Sequence, residues 1–133
     1  METSIFTKIV NGEIPAYKVA EDDRYLAFLD VFPTTKGHTL VIPKQQIDYL
    51  FDLDDDLYLG LMAFAKKVAA AVEKVVPCKR IAVAVVGIEV PHAHVHLIPL
   101  NSMQDMNFSN KKQFSKEEFE EVASKIREAY QAS

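Results

Sequence analysis

Apolar residues recur along this chain with two different periods. Leu57, Leu61, Phe64, Val68, Val72 and Val75 fall three or four residues apart, which places them on one face of a helix that must stop before Pro77. Asp52, Asp54, Asp55 and Asp56 cluster where that helix would begin, a placement that suits its dipole and supplies a cap. The same spacing returns in Phe119, Val122, Ala123, Ile126 and Tyr130, the stripe of a final helix. Ser115 and Glu118 ahead of it form a capping box, and Phe114 and Phe119 are placed for a hydrophobic staple. At the other end, Thr3 or Ser4 caps a short helix running to about Val10, where Asn11-Gly12 signals a turn.

Elsewhere the runs are shorter and suit strands. Residues 16–20 and 25–29, separated by polar residues 21–24, read as antiparallel strands joined by a short turn. Asp30 follows at once, either as a turn former or as an acceptor for ligand hydroxyls. Past a loop over 31–37 that contains proline and glycine, residues 38–43 form a third strand closed by Pro43. Residues 81–86 are apolar and largely β-branched, which predicts a strand buried on both faces. Gly87 breaks it, and a turn leads into segment 91–99, so these last two strands are expected side by side and antiparallel. Segment 101–113 is polar and aperiodic, a long loop that is either functional or mobile. The sum is an α+β fold: about five mostly antiparallel strands, a long central helix and a C-terminal helix.

Segment 91–99 holds three of the four histidines. In an extended strand His92, His94 and His96 share one face, while Ala93, Val95 and Leu97 take the other. Imidazoles that close together disfavour one another's protonation, so the trio is expected to be largely neutral near pH 7. Spacing leaves two chemistries open. The three rings could ligate a catalytic zinc with one open position, or one ring could attack an electrophile while its neighbours orient it and move protons, with no metal or other cofactor. His38, at the start of the third strand, taken alone reads as a surface residue.

Composition narrows the setting. The chain of 133 residues is expected to form one domain over 1–133, with 49% apolar and 26% charged residues. A net charge of −4 offers no general attraction for a nucleic acid polymer or an anionic membrane. Cys78 is the lone cysteine, so no internal disulfide forms. No stretch approaches the length of a membrane span and the first residues do not resemble a signal peptide, so a cytoplasmic protein is expected.

Four segments in order carry a family resemblance: 4–16 (Ser-Ile-Phe-Thr-Lys-Ile-Val-Asn-Gly-Glu-Ile-Pro-Ala), Phe28-Leu29-Asp30, 37–44 (Gly-His-Thr-Leu-Val-Ile-Pro-Lys) and His92-Ala93-His94-Val95-His96-Leu97-Ile98. Together they resemble the histidine triad (HIT) nucleotide hydrolases and transferases, in the Hint-like branch. That resemblance implies an antiparallel sheet with two helices, a homodimer in which two sheets join, binding of purine nucleoside monophosphate groups, and cleavage of phosphoramidates or phosphoanhydrides at the α-phosphorus. It implies that His94 is the nucleophile, that His96 contacts phosphate and assists the leaving group, and that His92 and His38 orient the central ring. It likewise implies that Asp30 accepts hydrogen bonds from the ribose hydroxyls and that Ile5, Phe6, Phe28, Leu29, Val31 and Leu40 line the base pocket.

Four features depart from the family. Ser4 and Thr7 stand where many bacterial relatives have a zinc-binding Cys-x-x-Cys, so no structural zinc is expected there. The stretch before the triad is apolar and short where relatives have an Asn- and Gly-containing loop. Glu89 replaces a serine that in some relatives lies near the α-phosphate, and Pro91 replaces a common aromatic. The function expected is therefore a purine nucleoside phosphoramidate or nucleotidyl hydrolase acting through His94. A nucleotide-binding or partner-binding module with weak catalysis is the second reading, and a metal-dependent hydrolase using His92, His94 and His96 is the third.

Overall fold

The computed structural model describes residues 2–133. Three helices, α1 Ile5–Val10, α2 Asp55–Val75 and α3 Lys116–Gln131, accompany five strands, β1 Lys18–Glu21, β2 Tyr25–Leu29, β3 Thr39–Pro43, β4 Arg80–Ala84 and β5 Val95–Leu100. The strands form one sheet in the order β1-β2-β3-β5-β4, and every neighbouring pair is antiparallel. Each helix starts where its polar residues satisfy free backbone N–H groups. Ser4 accepts from Thr7 N, Asp54 accepts from Leu57 N, and the Ser115–Glu118 box is formed. The Phe114 and Phe119 rings meet edge to face at 5.9 Å, as a staple should.

Alternation along the strands sorts side chains to two faces. Ala27, Leu29, Val41, Val95 and Leu97 pack against Leu61, Phe64, Val68 and Val72 of α2 and Val122 and Ile126 of α3. Leu61, Val68, Val72 and Ile126 are fully sealed from solvent, and each such side chain contributes about 1.5–3 kcal/mol. On the opposite face Leu26, Phe28, Leu40 and Ile42 pack under Phe6 and Ile9 of α1. Because α1 is only 6 residues long, it covers part of that face and the remainder opens into a groove. Gly37 lets the chain enter β3 against α2's end: its φ is +87°, and a Cβ there would lie 2.7 Å from Val76 Cγ2.

Two expectations are corrected. β4 is not buried on both faces: it is an edge strand with Val83 54% exposed, and Val85 and Val86 beyond it are exposed as well. The apolar run reflects an edge whose outer side has no neighbour in this chain, not a central strand. The histidine segment, for its part, is not a continuous strand from residue 91. Pro91 offers no N–H, His92 N bonds to Val90 O and Ala93 N bonds to Ile47 O, so the ladder starts only at Val95. Among the described residues no helix is long and apolar enough to cross a membrane.

Candidate active site

Strand register sets the site. Phe28 pairs with Leu40, Leu40 with His96, and His96 with Ala84, so His96 stands in a row of apolar residues on the face that α1 leaves open. Above that row lies a groove of about 720 Å³. Ile5, Phe6, Phe28, Leu29, Val31 and Leu40, the residues expected to form a base pocket, all line it, as do Asp30 and Glu89. Of the four histidines, His94 and His96 reach the groove, with their ring centroids 5.1 Å apart.

The other two stand behind them. His92 and His38 are 0% and 1% exposed. The reading of three equivalent rings on one strand face is thus corrected. With 91–94 outside the ladder, His92 turns beneath α1, where its ring meets Phe6 at 5.8 Å. His38, read alone as a surface residue, is instead buried against His96.

Hydrogen-bond partners assign the tautomers. His92 Nε2 donates to Pro43 O at 2.7 Å, which leaves Nδ1 to accept from Ser4 Oγ at 2.8 Å. The His92 carbonyl accepts from His94 Nδ1 at 2.7 Å, so a neutral His94 presents a bare Nε2 lone pair. On the other side, Thr34 N donates to His38 Nδ1 at 3.1 Å, and His38 Nε2 then donates to His96 Nδ1 at 2.9 Å. That leaves the proton of a neutral His96 on Nε2. Two neighbouring rings therefore show opposite characters: a lone pair on His94 and an N–H donor on His96.

Burial keeps this arrangement neutral. Loss of hydration drives His38 down to about 4 and His96 to about 3, and it lowers His92 too. For His38 the nearby Asp30 carboxylate pulls the other way without winning. Their 3.6 Å separation is accordingly a loose polar contact and not an ion pair, since the Nε2 proton of His38 is committed to His96. Asp30 itself is oriented by Phe32 N, which donates to Oδ1 at 2.8 Å.

Asp30, His38 and His96 bring ligand-capable atoms within 4.8 Å of one another. The His38–His96 contact of 2.9 Å is a hydrogen-bond length, whereas two nitrogens on one tetrahedral zinc would sit about 3.3 Å apart. His92, His94 and His96 do not form such a group among the described residues. Both nitrogens of His92 already have partners in Pro43 O and Ser4. Near them Ser4 N and Thr7 Oγ1 each donate to Gln46 Oε1 at 2.8 Å.

Sequence reasoning missed several residues that line the groove, among them Phe108 and Lys111. Both enter from the 101–115 loop; the Phe108 ring lies 5.0 Å from His96 and 6.3 Å from His38. Loop length signalled that the segment mattered, but nothing in its composition named these two.

This chain matches the family model described as HIT domain over residues 11–103. It belongs to the histidine triad family. A HIT-like protein of Borreliella burgdorferi is 38% identical over 95% of this chain and 97% of its own length. The adenosine 5′-monophosphoramidase of Saccharomyces cerevisiae is 38% identical over 71% of this chain and 61% of its own. A crystal structure of a HIT-like protein from Bartonella henselae superposes with a TM-score of 0.83 at 36% identity, covering 96% of each chain. The trio His92, His94 and His96 divides in this fold into two rings at the groove and one behind it.

Proposed function

We propose that the protein hydrolyses purine nucleoside phosphoramidates or related nucleotidyl bonds through a covalent nucleotidyl intermediate on His94. One observation carries the reading: at the end of an apolar groove a histidine lone pair, oriented by a backbone carbonyl, stands beside a second ring that presents an N–H. An imidazole held in that tautomer attacks an electrophilic phosphorus without first shedding a proton. The His94 Nε2–phosphorus bond forms as the bond to the leaving group breaks. His96 Nε2–H steadies the phosphate oxygens and hydrogen-bonds the departing atom. Water then attacks the phosphorus, the P–N bond returns its electrons to His94, and the nucleoside monophosphate leaves.

The remaining groove residues suit a nucleoside. Phe6, Phe28 and Leu40 offer apolar surface for a base, and Asp30 has a carboxylate oxygen left over from its bond to Phe32 N to accept from ribose hydroxyls. The kinship with a named adenosine 5′-monophosphoramidase favours a purine. We also infer a homodimer formed through the exposed edge of β4, where Val83, Val85 and Val86 are open to solvent.

The direct test is turnover of adenosine 5′-phosphoramidate by chelator-treated protein beside His94→Ala, with mass spectrometry for a nucleotide adduct on His94. Full turnover by His94→Ala would sink the mechanism. A binding module with weak catalysis is the second reading, favoured by the exposed Glu89 carboxylate on the groove wall, which opposes an anionic phosphate. AMP binding without turnover of several phosphoramidates would select it.

A further inference from the structure

The two rings that reach the groove are oriented by different kinds of partner. His96 is fixed by another ring, His38, whereas His94 Nδ1 donates to a main-chain oxygen, the His92 carbonyl, at 2.7 Å. A carbonyl inside a strand is held by the ladder, but here the ladder begins only at Val95. The direction of the His92 carbonyl therefore depends on what grips residues 92 and 93. His92 N donates to Val90 O at 2.8 Å and Ala93 N to Ile47 O at 2.7 Å. The His92 ring is held at both nitrogens, by Pro43 O at 2.7 Å and by Ser4 Oγ at 2.8 Å. Of these four partners, Ser4 is the one that acts through a side chain.

Proton counting makes Ser4, and not Thr7, the donor to His92. Each hydroxyl has one proton to give. Thr7 Oγ1 gives its own to Gln46 Oε1, which also accepts from Ser4 N, both at 2.8 Å. Gln46 Nε2 donates to Glu2 O at 2.8 Å, so the orientation of that amide is fixed from both ends. Thr7 Oγ1, 3.3 Å from His92 Nδ1, is left with lone pairs only on that side. The Ser4 proton has Thr7 Oγ1 at 3.2 Å and His92 Nδ1 at 2.8 Å within reach, and the shorter contact to the stronger base takes it. A lone pair of the same oxygen accepts from Thr7 N at 3.0 Å as the cap of α1. Ser4 is 4% exposed, so water does not substitute for its hydroxyl.

We propose that Ser4 is a positioning residue for the chemistry at His94: its hydroxyl locks the His92 ring, and with it the carbonyl that keeps the His94 proton on Nδ1 and the lone pair toward the groove. This rests on the reading of His94 as nucleophile and deepens it. Without the hydroxyl, the His92 ring turns about its remaining bond to Pro43 O. The carbonyl then moves relative to His94 Nδ1 and the attacking nitrogen loses its alignment, to which displacement at phosphorus is sensitive. The same oxygen also seats α1, whose Phe6 ring meets His92 at 5.8 Å and His94 at 5.0 Å. One anchor thus serves both the apolar wall of the groove and the ring that attacks beside it.

The experiment measures kcat and KM for adenosine 5′-phosphoramidate, together with nitrogen NMR of the histidine rings, in wild type, Ser4→Ala and Ser4→Thr. Asp54→Ala, which removes the N-cap of α2 instead, controls for the loss of a cap. In wild type the proton of His92 is expected on Nε2 and that of His94 on Nδ1. Ser4→Ala should lower kcat by about tenfold with a smaller change in KM, and should leave the His94 proton shared between its nitrogens. Ser4→Thr, which keeps the hydroxyl, should restore both rate and spectrum, while Asp54→Ala lowers the thermal midpoint and leaves kcat unchanged. A wild-type His92 protonated on Nδ1 overturns the proposal before any variant is made. So does a Ser4→Ala protein with wild-type kcat and an unchanged His94 spectrum, or a rate loss in Asp54→Ala equal to that in Ser4→Ala. Should wild type turn over no phosphoramidate, the His94 mechanism fails, and the spectra alone decide whether Ser4 holds the His94 proton in place.

Discussion

His38 Nε2 lies 2.9 Å from His96 Nδ1, ring to ring, with His38 buried behind the groove that His96 lines. A backbone amide, Thr34 N–H, fixes which nitrogen of His38 is bare, and His38 in turn fixes which nitrogen of His96 is bare. The proton that faces the groove is therefore set by a main-chain group two rings away. Such a relay works only while both rings are neutral, and burial supplies that condition.

The relay predicts a difference between two substitutions at His38. Gln places an amide N–H near the position of the imidazole Nε2 and still donates to His96, whereas Ala donates nothing. His38→Ala is expected to lower kcat by about 10²-fold with a smaller change in KM, the usual scale for losing a positioned proton donor. His38→Gln should retain most of the rate. Nitrogen NMR of the His96 ring supplies the readout that a merely structural role would not move: the proton stays on Nε2 in wild type and in His38→Gln, and is shared between the nitrogens in His38→Ala. Equal rates for the two variants would remove His38 from the relay.

Stability should depend on pH through the same rings. The folded protein holds His38 near 4 and His96 near 3, whereas in the unfolded chain each titrates near its ordinary 6.5. Above that value both states are neutral and the rings add no pH dependence. As pH falls below it the unfolded state binds protons that the folded state refuses, so stability drops by up to about 1.4 kcal/mol per pH unit for each ring. The thermal midpoint should therefore fall steeply between pH 6.5 and pH 4, and the slope should be shallower in a His38→Gln/His96→Gln protein measured in parallel. A parallel slope in the two proteins would mean that other groups dominate the acid limb.

Asp30 is poised for a narrower test. Asp30→Asn keeps an oxygen for Phe32 N but replaces the second acceptor with a donor. AMP affinity is expected to fall by about tenfold, one charged hydrogen-bond pair's worth, while 2′,3′-dideoxy-AMP, which lacks the hydroxyls, should bind both proteins alike. Calorimetry on the two ligands checks this. An equal loss on both would mean that Asp30 acts through His38, 3.6 Å away, and not through the sugar.

What could be read from the chain beforehand follows from the range of each interaction. The caps at Ser4, Asp54 and Ser115 and the stripes of α2 and α3 depend on residues within a few positions of one another, and they stand where the spacing puts them; the turn after β1 is one residue shorter than read, since Glu21 still pairs with Leu26. The groove residues Phe6, Phe28 and Leu40 were legible through resemblance, and the register of β2, β3 and β5 gathers them around His96. Misreadings came where a distant partner decides. Residues 91–94 alternate like a strand, yet Ala93 bonds Ile47 and not a neighbouring strand. Residues 81–86 are apolar enough for a sheet centre, yet β4 is the edge. Phe108 and Lys111 reach the site because Lys112 is anchored to Pro33, a contact spanning most of the chain that no local pattern encodes.

Helix propensity and packing give opposite answers at Gly60, and packing should win. Gly60 lies inside α2, where replacing glycine with alanine ordinarily stabilises by about 1 kcal/mol. Here a Cβ would run into the Tyr25 hydroxyl, with Tyr25 Cζ only 2.9 Å away. Tyr25 cannot readily withdraw: it is 4% exposed, its ring stacks on Phe64 at 5.6 Å, and its hydroxyl donates to Leu57 O at 3.0 Å. Gly60→Ala is therefore expected to cost about 1–3 kcal/mol, the usual range for overpacking, and to lower the thermal midpoint by several degrees. Tyr25→Phe removes the colliding oxygen, so Tyr25→Phe/Gly60→Ala should lie above the sum of the two single losses in a double-mutant cycle. A Gly60→Ala protein that melts above wild type would show that α2 can shift away from β2, and that the sheet beneath the groove is less tightly held than this packing implies.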